Sequence, residues 1–261
     1  MSKLRVEGVG RIFPGVRGGP PTEALQPTHL TVVDNDFITI LGPSGCGKST
    51  LLRIVAGLDQ PSTGRVLLDG APVAGPGADR GMVFQSYTLF PWLTVRQNIS
   101  FGLREKGMPE VEQRVIVDHY IARVGLAGFE QHYPKMLSGG MQQRTAIARA
   151  LANGPKILLL DEPFGALDNQ TRALMQELLL GIWESEKTTV LFVTHDIEEA
   201  IFMAGRVVVM SARPGHIKAE VAVDLPHPRH YTLKTTPEFS ALKARLTEEI
   251  RVEALKVVAT A

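Results

Sequence analysis

Along the chain, short apolar runs alternate with longer segments in which apolar residues recur every three or four positions. The short runs predict strands at 4–9, 30–33, 37–41, 65–68, 82–85, 157–161, 190–194 and 207–211. The periodic segments predict helices at 48–56, 109–124, 140–152, 171–185 and 197–204. Such alternation implies an α/β layer fold with parallel strands inside. The run ILLLD, from Ile157 to Asp161, is apolar until its last residue, as a strand buried on both faces requires. Between Ser86 and Asn153 the pattern predicts helices and no convincing strand, so a helical lobe is expected there. Pro226, Pro228 and Pro237 punctuate a linker, after which Phe239, Leu242, Leu246 and Ile250 mark a final amphipathic helix. The expected organisation is a main domain over 1–225, its helical insert at about 86–153, and a linker with its helix over 226–261.

One helix begins oddly. In LSGGMQQRTAIARAL, from Leu137, the residues Ala146, Ile147, Ala150 and Leu151 form a stripe, and Gln143, Arg144 and Arg149 are expected to face away from it. Ser138 is a good cap, but glycines such as Gly139 and Gly140 cost about 1 kcal/mol each against alanine inside a helix. Something other than helix stability must want bare backbone at that end.

Composition narrows the partners. The 261 residues are 44% hydrophobic, enough for a sizeable core, and the formal net charge of +1 comes with no basic block. Nucleic acid is therefore disfavoured as the main partner. One cysteine excludes an internal disulfide and fits a reducing compartment. No apolar run approaches the ~20 residues of a membrane helix, and MSKLRVEGVGRIF has no signal-peptide core. Service to a membrane is thus expected to run through a partner.

FITILGPSGCGKSTLL, from Phe37, reads as a strand, a glycine-rich turn and a helix start. Gly42, Gly47, Lys48 and Ser49 satisfy G-x-x-x-x-G-K-[ST] in the strand-to-helix context that the motif needs. Glycines let the loop curl so that backbone N–H groups face phosphate oxygens, and the helix N-terminus adds partial positive charge. The cradle comprises Gly42, Pro43, Ser44, Gly45, Cys46, Gly47, Lys48, Ser49 and Thr50. Lys48 reaches the β- and γ-phosphates, and the Ser49 hydroxyl ligates Mg²⁺. Cys46 reads as a small side chain with no catalytic role. Downstream, ILLLDEP ends a buried strand in two carboxylates. Asp161 suits Mg²⁺, and Glu162 suits the orientation of a water for in-line attack on the γ-phosphate. Alone, Asp168 and His195 are lesser signals.

Taken in order, GPSGCGKST, VFQ ending in Gln85, LSGGMQQR, LLLDEP, GALD ending in Asp168 and VTHD containing His195 resemble the nucleotide-binding subunit of an ATP-binding cassette (ABC) transporter. The likeness spans about residues 4–224, and LSGG shortly before LLLDE is its specific part. It implies a P-loop NTPase core with a mostly parallel sheet, an antiparallel β subdomain and an inserted helical subdomain. It also implies ATPase activity with ATP and Mg²⁺, and two subunits stacked head to tail. Ser138, Gly139 and Gly140 of one subunit then face the γ-phosphate held by Lys48 of the other, which accounts for the bare backbone.

By the same resemblance Gln85 senses Mg²⁺, and His195 contacts the γ-phosphate and the attacking water. Asp168 communicates across the dimer, and Phe13 stands where an aromatic stacks on adenine or, equally, serves as a core residue beside the first strand. Met141 replaces a commoner glutamine just past the glycines, with little expected effect on phosphate binding. Residues 86–103 are implied to dock a membrane permease, with Phe90, Pro91, Trp92 and Leu93 either exposed for it or packed within the lobe. GPGADRGMVFQ and the short extension resemble the nitrate/sulfonate/taurine importer branch. That branch implies a peripheral subunit on the cytoplasmic face of the cell membrane, working with a permease and a periplasmic or surface substrate-binding protein. Import of another small solute, or a soluble ABC ATPase without a transport role, are the alternatives.

Overall fold

A computed structural model describes residues 2–15 and 19–260. The chain divides into two compact units, residues 1–77 with 189–261 and residues 78–188.

In the first unit, β1 (Ser2–Phe13) lies between β2 (Thr22–Val33) and β4 (Thr63–Leu68), antiparallel to both. The short β5 (Ala71–Pro72) continues from β4. One face of β2 is buried and the other exposed over 28–33, so its sequence alternates there. A second set of strands is parallel: β3 (Phe37–Leu41) runs between β8 (Thr189–Thr194) and β9 (Arg206–Met210), and β10 (Ile217–Ala222) adds to β9 in the opposite direction. Every residue of β3 and β8 is buried, which is why these strands read as apolar runs without alternation. The helices of this unit are α1 (Lys48–Val55), α6 (Ile197–Met203) and α7 (Pro237–Thr260).

The second unit contains the parallel pair β6 (Arg80–Val83) and β7 (Ile157–Asp161). Its helices are α2 (Val95–Glu105), α3 (Glu110–Arg123), α4 (Gly139–Ala152) and α5 (Asn169–Glu186). Residues 86–153 are helices and turns without a strand.

The departures from the sequence reading have identifiable causes. Helix α2 is absent from the expected helices although Val95, Ile99 and Leu103 recur at helical spacing and are all buried; sharing their buried face is a polar residue, Asn98. Its amide donates to the carbonyls of Phe90, Leu93 and Thr94 and accepts from the Phe90 N–H, so the burial carries no unpaired group. A Thr94–Gln97 capping box marks its start. Strand β10 escapes because IKAEVA is an edge strand with only Val221 fully buried. The expectation that Gln143, Arg144 and Arg149 face outward is overturned. Helix α4 packs against α2, α3, α5 and β6, so its polar side also meets protein. Gln143 is fully buried, Arg144 donates to the carbonyls of Val124 and Gly125, and Arg149 reaches residues 87 and 88.

The segment after Pro226 is fastened to its unit. Arg229, 6% exposed, donates to the carbonyls of Ile201, Phe202 and Ala204 at the end of α6, and to that of Leu225. It thereby satisfies acceptors that a helix end leaves open. Lys243 of α7 pairs with Glu198 of α6 at 2.6 Å, and Phe239 and Leu246 are buried. The buried stripe of α7 ends in a carboxylate, Glu253. Burial pushes its pKa up, but hydrogen bonds from Lys256, the Ala212 N–H and Lys218 outweigh this and hold it down at about 2.

A carboxyl with a folded pKa below its unfolded value stabilises the fold above the unfolded value, and that contribution fades as pH falls through the folded one. Urea midpoints of the protein and its Glu253→Gln variant should therefore differ clearly at neutral pH. The gap should close between about pH 4.5 and pH 2.

Candidate functional site

The phosphate loop is positioned by a buried strand. From Leu41 the chain leaves β3, turns through Gly45 at φ 76° and Gly47 at φ 101°, and enters α1 at Lys48. Gly47 is required twice over, since a Cβ there would also lie 2.8 Å from the Ala24 carbonyl oxygen. As the residue preceding α1 it offers no side chain to the first turn, which also lacks an acidic residue. The positive end of a helix without a capping side chain favours an anion. Lys48 is 4% exposed, and its Nζ donates to the Gly42 and Pro43 carbonyls, each at 2.9 Å, closing the loop on itself. Ser49, Ser44 and Gly45 are exposed, Pro43 and Thr50 half-buried, and Cys46 buried.

Phe13 ends β1 half-buried, with the Arg11 guanidinium carbon 4.6 Å from its ring centre. His195 is exposed at the end of β8. The turn behind it is tied: Thr194 donates to the buried Glu199, the Asp196 N–H donates to Thr194 Oγ1, and Asp196 caps α6 through the Glu199 N–H.

In the second unit, Asp161 closes β7 and Glu162 follows at φ 44°, a left-handed backbone that non-glycine residues seldom adopt. Glu162 Oε2 and Gln85 Nε2 each lie 4.0 Å from where a Cβ on Gly165 would stand, which brings these two sequence-predicted residues to one place. Asp168 caps α5, accepting from the Gln170 and Thr171 N–H groups at 3.1 and 3.0 Å. Hydrogen bonding by Thr171 is the chief cause of its lowered pKa.

Ser138 caps α4 by accepting from the Met141 N–H at 3.3 Å, which leaves its own O–H to donate elsewhere. The glycines that follow have a cause within the chain as well. A Cβ on Gly139 would lie 2.8 Å from Tyr87 Oη, and one on Gly140 would lie 2.8 Å from Thr171 Cγ2. The starts of α4 and α5 thus touch, through Gly140 and the residue whose N–H Asp168 accepts.

Sequence reasoning missed Arg149. It donates to the Thr88 carbonyl at 2.9 Å and Thr88 Oγ1 at 3.2 Å, and its guanidinium carbon lies 5.5 Å from the Phe90 ring centre. Thr88 is β-branched at φ 47°, a strained conformation that these bonds hold. Burial lowers the Arg149 pKa. Arg149, Met82, Phe84, Phe90 and Phe101 line a groove of about 640 Å³, and Phe90 stacks on Phe101 with ring centres 4.4 Å apart. Trp92 is 70% exposed. Of residues 90–93, Phe90 and Leu93 are half-buried and Pro91 and Trp92 exposed, so the segment is in part packed and in part at the surface.

The donor set fits Mg²⁺ in kind. Ser49 and Asp161 each carry a hard oxygen donor of the type that Mg²⁺ takes, and no cluster of three or more His, Cys, Asp or Glu occurs among the described residues. Mg²⁺ ordinarily takes few protein ligands and completes its shell with phosphate and water.

The close approach at Gly140 sets a test. Gly140→Ala should destabilise the protein by about 1–2 kcal/mol despite alanine's better helix propensity. Adding Thr171→Ser, which deletes the opposing methyl, should recover most of that loss in the urea midpoint. No recovery in the double variant would mean that the packing assignment is wrong.

Residues 25–165 match the family described as ABC transporter. The chain is 48% identical over 260 residues to the nitrate import ATP-binding protein of Synechocystis sp., with 94% of this chain and 97% of that protein covered. It is also 48% identical over 233 residues to an aliphatic sulfonates import ATP-binding protein of Bacillus licheniformis, covering 89% of each. Among solved structures, a dimeric ATP-binding cassette in a post-hydrolysis state, bound to ADP and phosphate, matches with a TM-score of 0.75. That match has 33% identity and covers 85% of this chain and 100% of the other. The P-loop fold, the order of the motifs and these matches lead to one statement: the chain belongs to the ABC transporter family, as an ATP-binding subunit with ATPase activity.

Proposed function

We propose that the chain energises an importer of a small anion, of the nitrate or sulfonate kind, by closing and reopening a head-to-tail dimer around ATP. The observation that carries this reading is the pair of helix starts. Uncapped α1 offers amides and Lys48 to a phosphate, whereas α4 offers the Ser138 O–H beside two glycines. Two copies facing each other supply both ends to one triphosphate. Residues 1–225 act as the cassette, with the helical subdomain at about 86–153, and 226–261 as its appendage.

Each side chain has a task. Lys48 and the loop amides of 42–50 neutralise and hold the phosphates, and Phe13 stacks on adenine. Ser49, Gln85 and Asp161 hold Mg²⁺, which when bound supplies charge neutralisation at the β- and γ-phosphates. Glu162 accepts a hydrogen bond from the attacking water and aims it, His195 contacts the γ-phosphate and that water, and Asp168 relays closure across the dimer. Positioning and electrostatics perform the catalysis, without a covalent intermediate. The groove around Phe90 and Phe101, with exposed Trp92 beside it, receives a cytoplasmic helix of the permease. The subunit works through such a partner on the cytoplasmic side; no helix of the described residues is long and apolar enough to cross a membrane. A periplasmic or surface binding protein delivers the anion.

Glu162→Gln should bind ATP, dimerise on it and lose roughly 10²–10⁴-fold in turnover. Full activity of that variant would refute the assigned role. Lys48→Ala should lose nucleotide binding itself, read by fluorescent ATP titration. Ser138→Arg should leave the monomer folded yet inactive as a homodimer; an active one would refute the shared site. For the cargo, the ATPase rate of the complex with its permease and binding protein should rise with nitrate or an alkanesulfonate. Stimulation only by an uncharged solute would overturn the anion assignment.

A further inference from the structure

The loop joining β9 to β10 lies against the phosphate loop. A Cβ on Gly215 would lie 1.8 Å from the Cys46 carbonyl oxygen, so the two backbones are in direct contact. At the other end of the same approach, a Cβ on Gly42 would lie 3.2 Å from both the Cβ and the carbonyl oxygen of Met210. Gly215 is also fixed to β2, donating to the Ala24 carbonyl and accepting from the Gln26 N–H at 2.8 Å. Within the loop, Ser211 Oγ accepts from the His216 N–H and the Ser211 N–H donates to the His216 carbonyl, closing residues 211–216 into a stiff turn.

The far side of that turn is held by the C-terminal helix. The Ala212 N–H donates to Glu253 Oε2 at 2.9 Å. Glu253 Oε1 is paired with Lys218 at 3.2 Å and Lys256 at 2.7 Å, and Lys218 also donates to the Glu249 carbonyl of α7. The carboxylate is fully buried and its contacts aim it at the turn. Nothing in the reaction chemistry uses it.

We propose that Glu253 is a positioning residue for ATP binding: through Ala212 and the turn 211–216 it braces the backbone of the phosphate loop at Cys46. The proposal rests on the reading that residues 42–50 hold the triphosphate. A loop whose amides must stay aimed at phosphate oxygens gains affinity from being held in that shape beforehand, and the brace supplies that hold from a helix some two hundred residues away in the chain.

The protein contains its own probe, because Cys46 is the single cysteine, lies in the braced loop and is 1% exposed. Its rate of alkylation by N-ethylmaleimide without nucleotide reads local opening of the loop. Glu253→Ala should raise that rate roughly five-fold or more, and raise the KM for ATP roughly three- to ten-fold with kcat within about two-fold. Glu253→Gln keeps an oxygen for the Ala212 N–H and should restore most of the protection. Gly215→Ala leaves the tail intact and forces the turn off Cys46, so it should reproduce the faster alkylation even if Glu253→Ala does not fold.

Alkylation of Glu253→Ala or Gly215→Ala at the unaltered protein's rate would overturn the proposal. So would equal exposure in Glu253→Gln and Glu253→Ala, or faster alkylation with an unchanged KM. Failure of the unaltered protein to bind ATP would instead sink the nucleotide reading, and the thiol measurement separates the two.

Discussion

Amide hydrogens at the start of a helix have to be satisfied by something, and at α1 the capping position offers no side chain for it. Helices α2, α4, α5 and α6 are capped by Thr94, Ser138, Asp168 and Asp196, and α3 carries Glu110 and Glu112 in its first turn. Helix α1 has Gly47 and no acidic residue. A helix start without a capping side chain or acidic residue suits an anion, and the surroundings hold it in shape. The buried strands β3 and β8 fix where the loop begins, Lys48 ties the loop to itself, and the turn at Gly215 lies against its back.

Much of this is legible in the sequence because it follows from local rules. The apolar runs of β3, β7 and β8 appear at the expected places because strands buried on both faces have no alternation to disguise them. The phosphate loop is a local motif whose glycines answer to backbone geometry. What escapes is whatever depends on partners distant in sequence. Asn98 is polar and yet core, and only the fold shows that its amide meets the carbonyls of Phe90, Leu93 and Thr94. Arg149 looks like a solvated residue of an amphipathic helix, and only the fold shows that Thr88 is its partner. The tail reads as a linker plus an amphipathic helix, but Arg229 and Glu253 give it two anchor points that no periodicity signals.

The glycines of α4 illustrate how one residue answers two demands. From sequence they look like a sacrifice of helix stability for phosphate access. The packing adds a second reason, because Tyr87 and Thr171 occupy the space their side chains would need. Tyr87 lies next to the strained Thr88, and Thr171 lies in the first turn of the helix that Asp168 caps. The segment that follows Gln85 therefore bears on Gly139, and the segment that follows Glu162 bears on Gly140.

Arg149 sits ten residues beyond Gly139 on that same helix, with its guanidinium fastened to the rim of the groove at Thr88. A 14-residue helix is a stiff rod about 20 Å long. One unbroken element therefore carries the Ser138 cap at its first turn and, near its last, the guanidinium that lies 5.5 Å from the Phe90 ring centre, so the spacing between cap and groove is set by helix geometry and not by a loop.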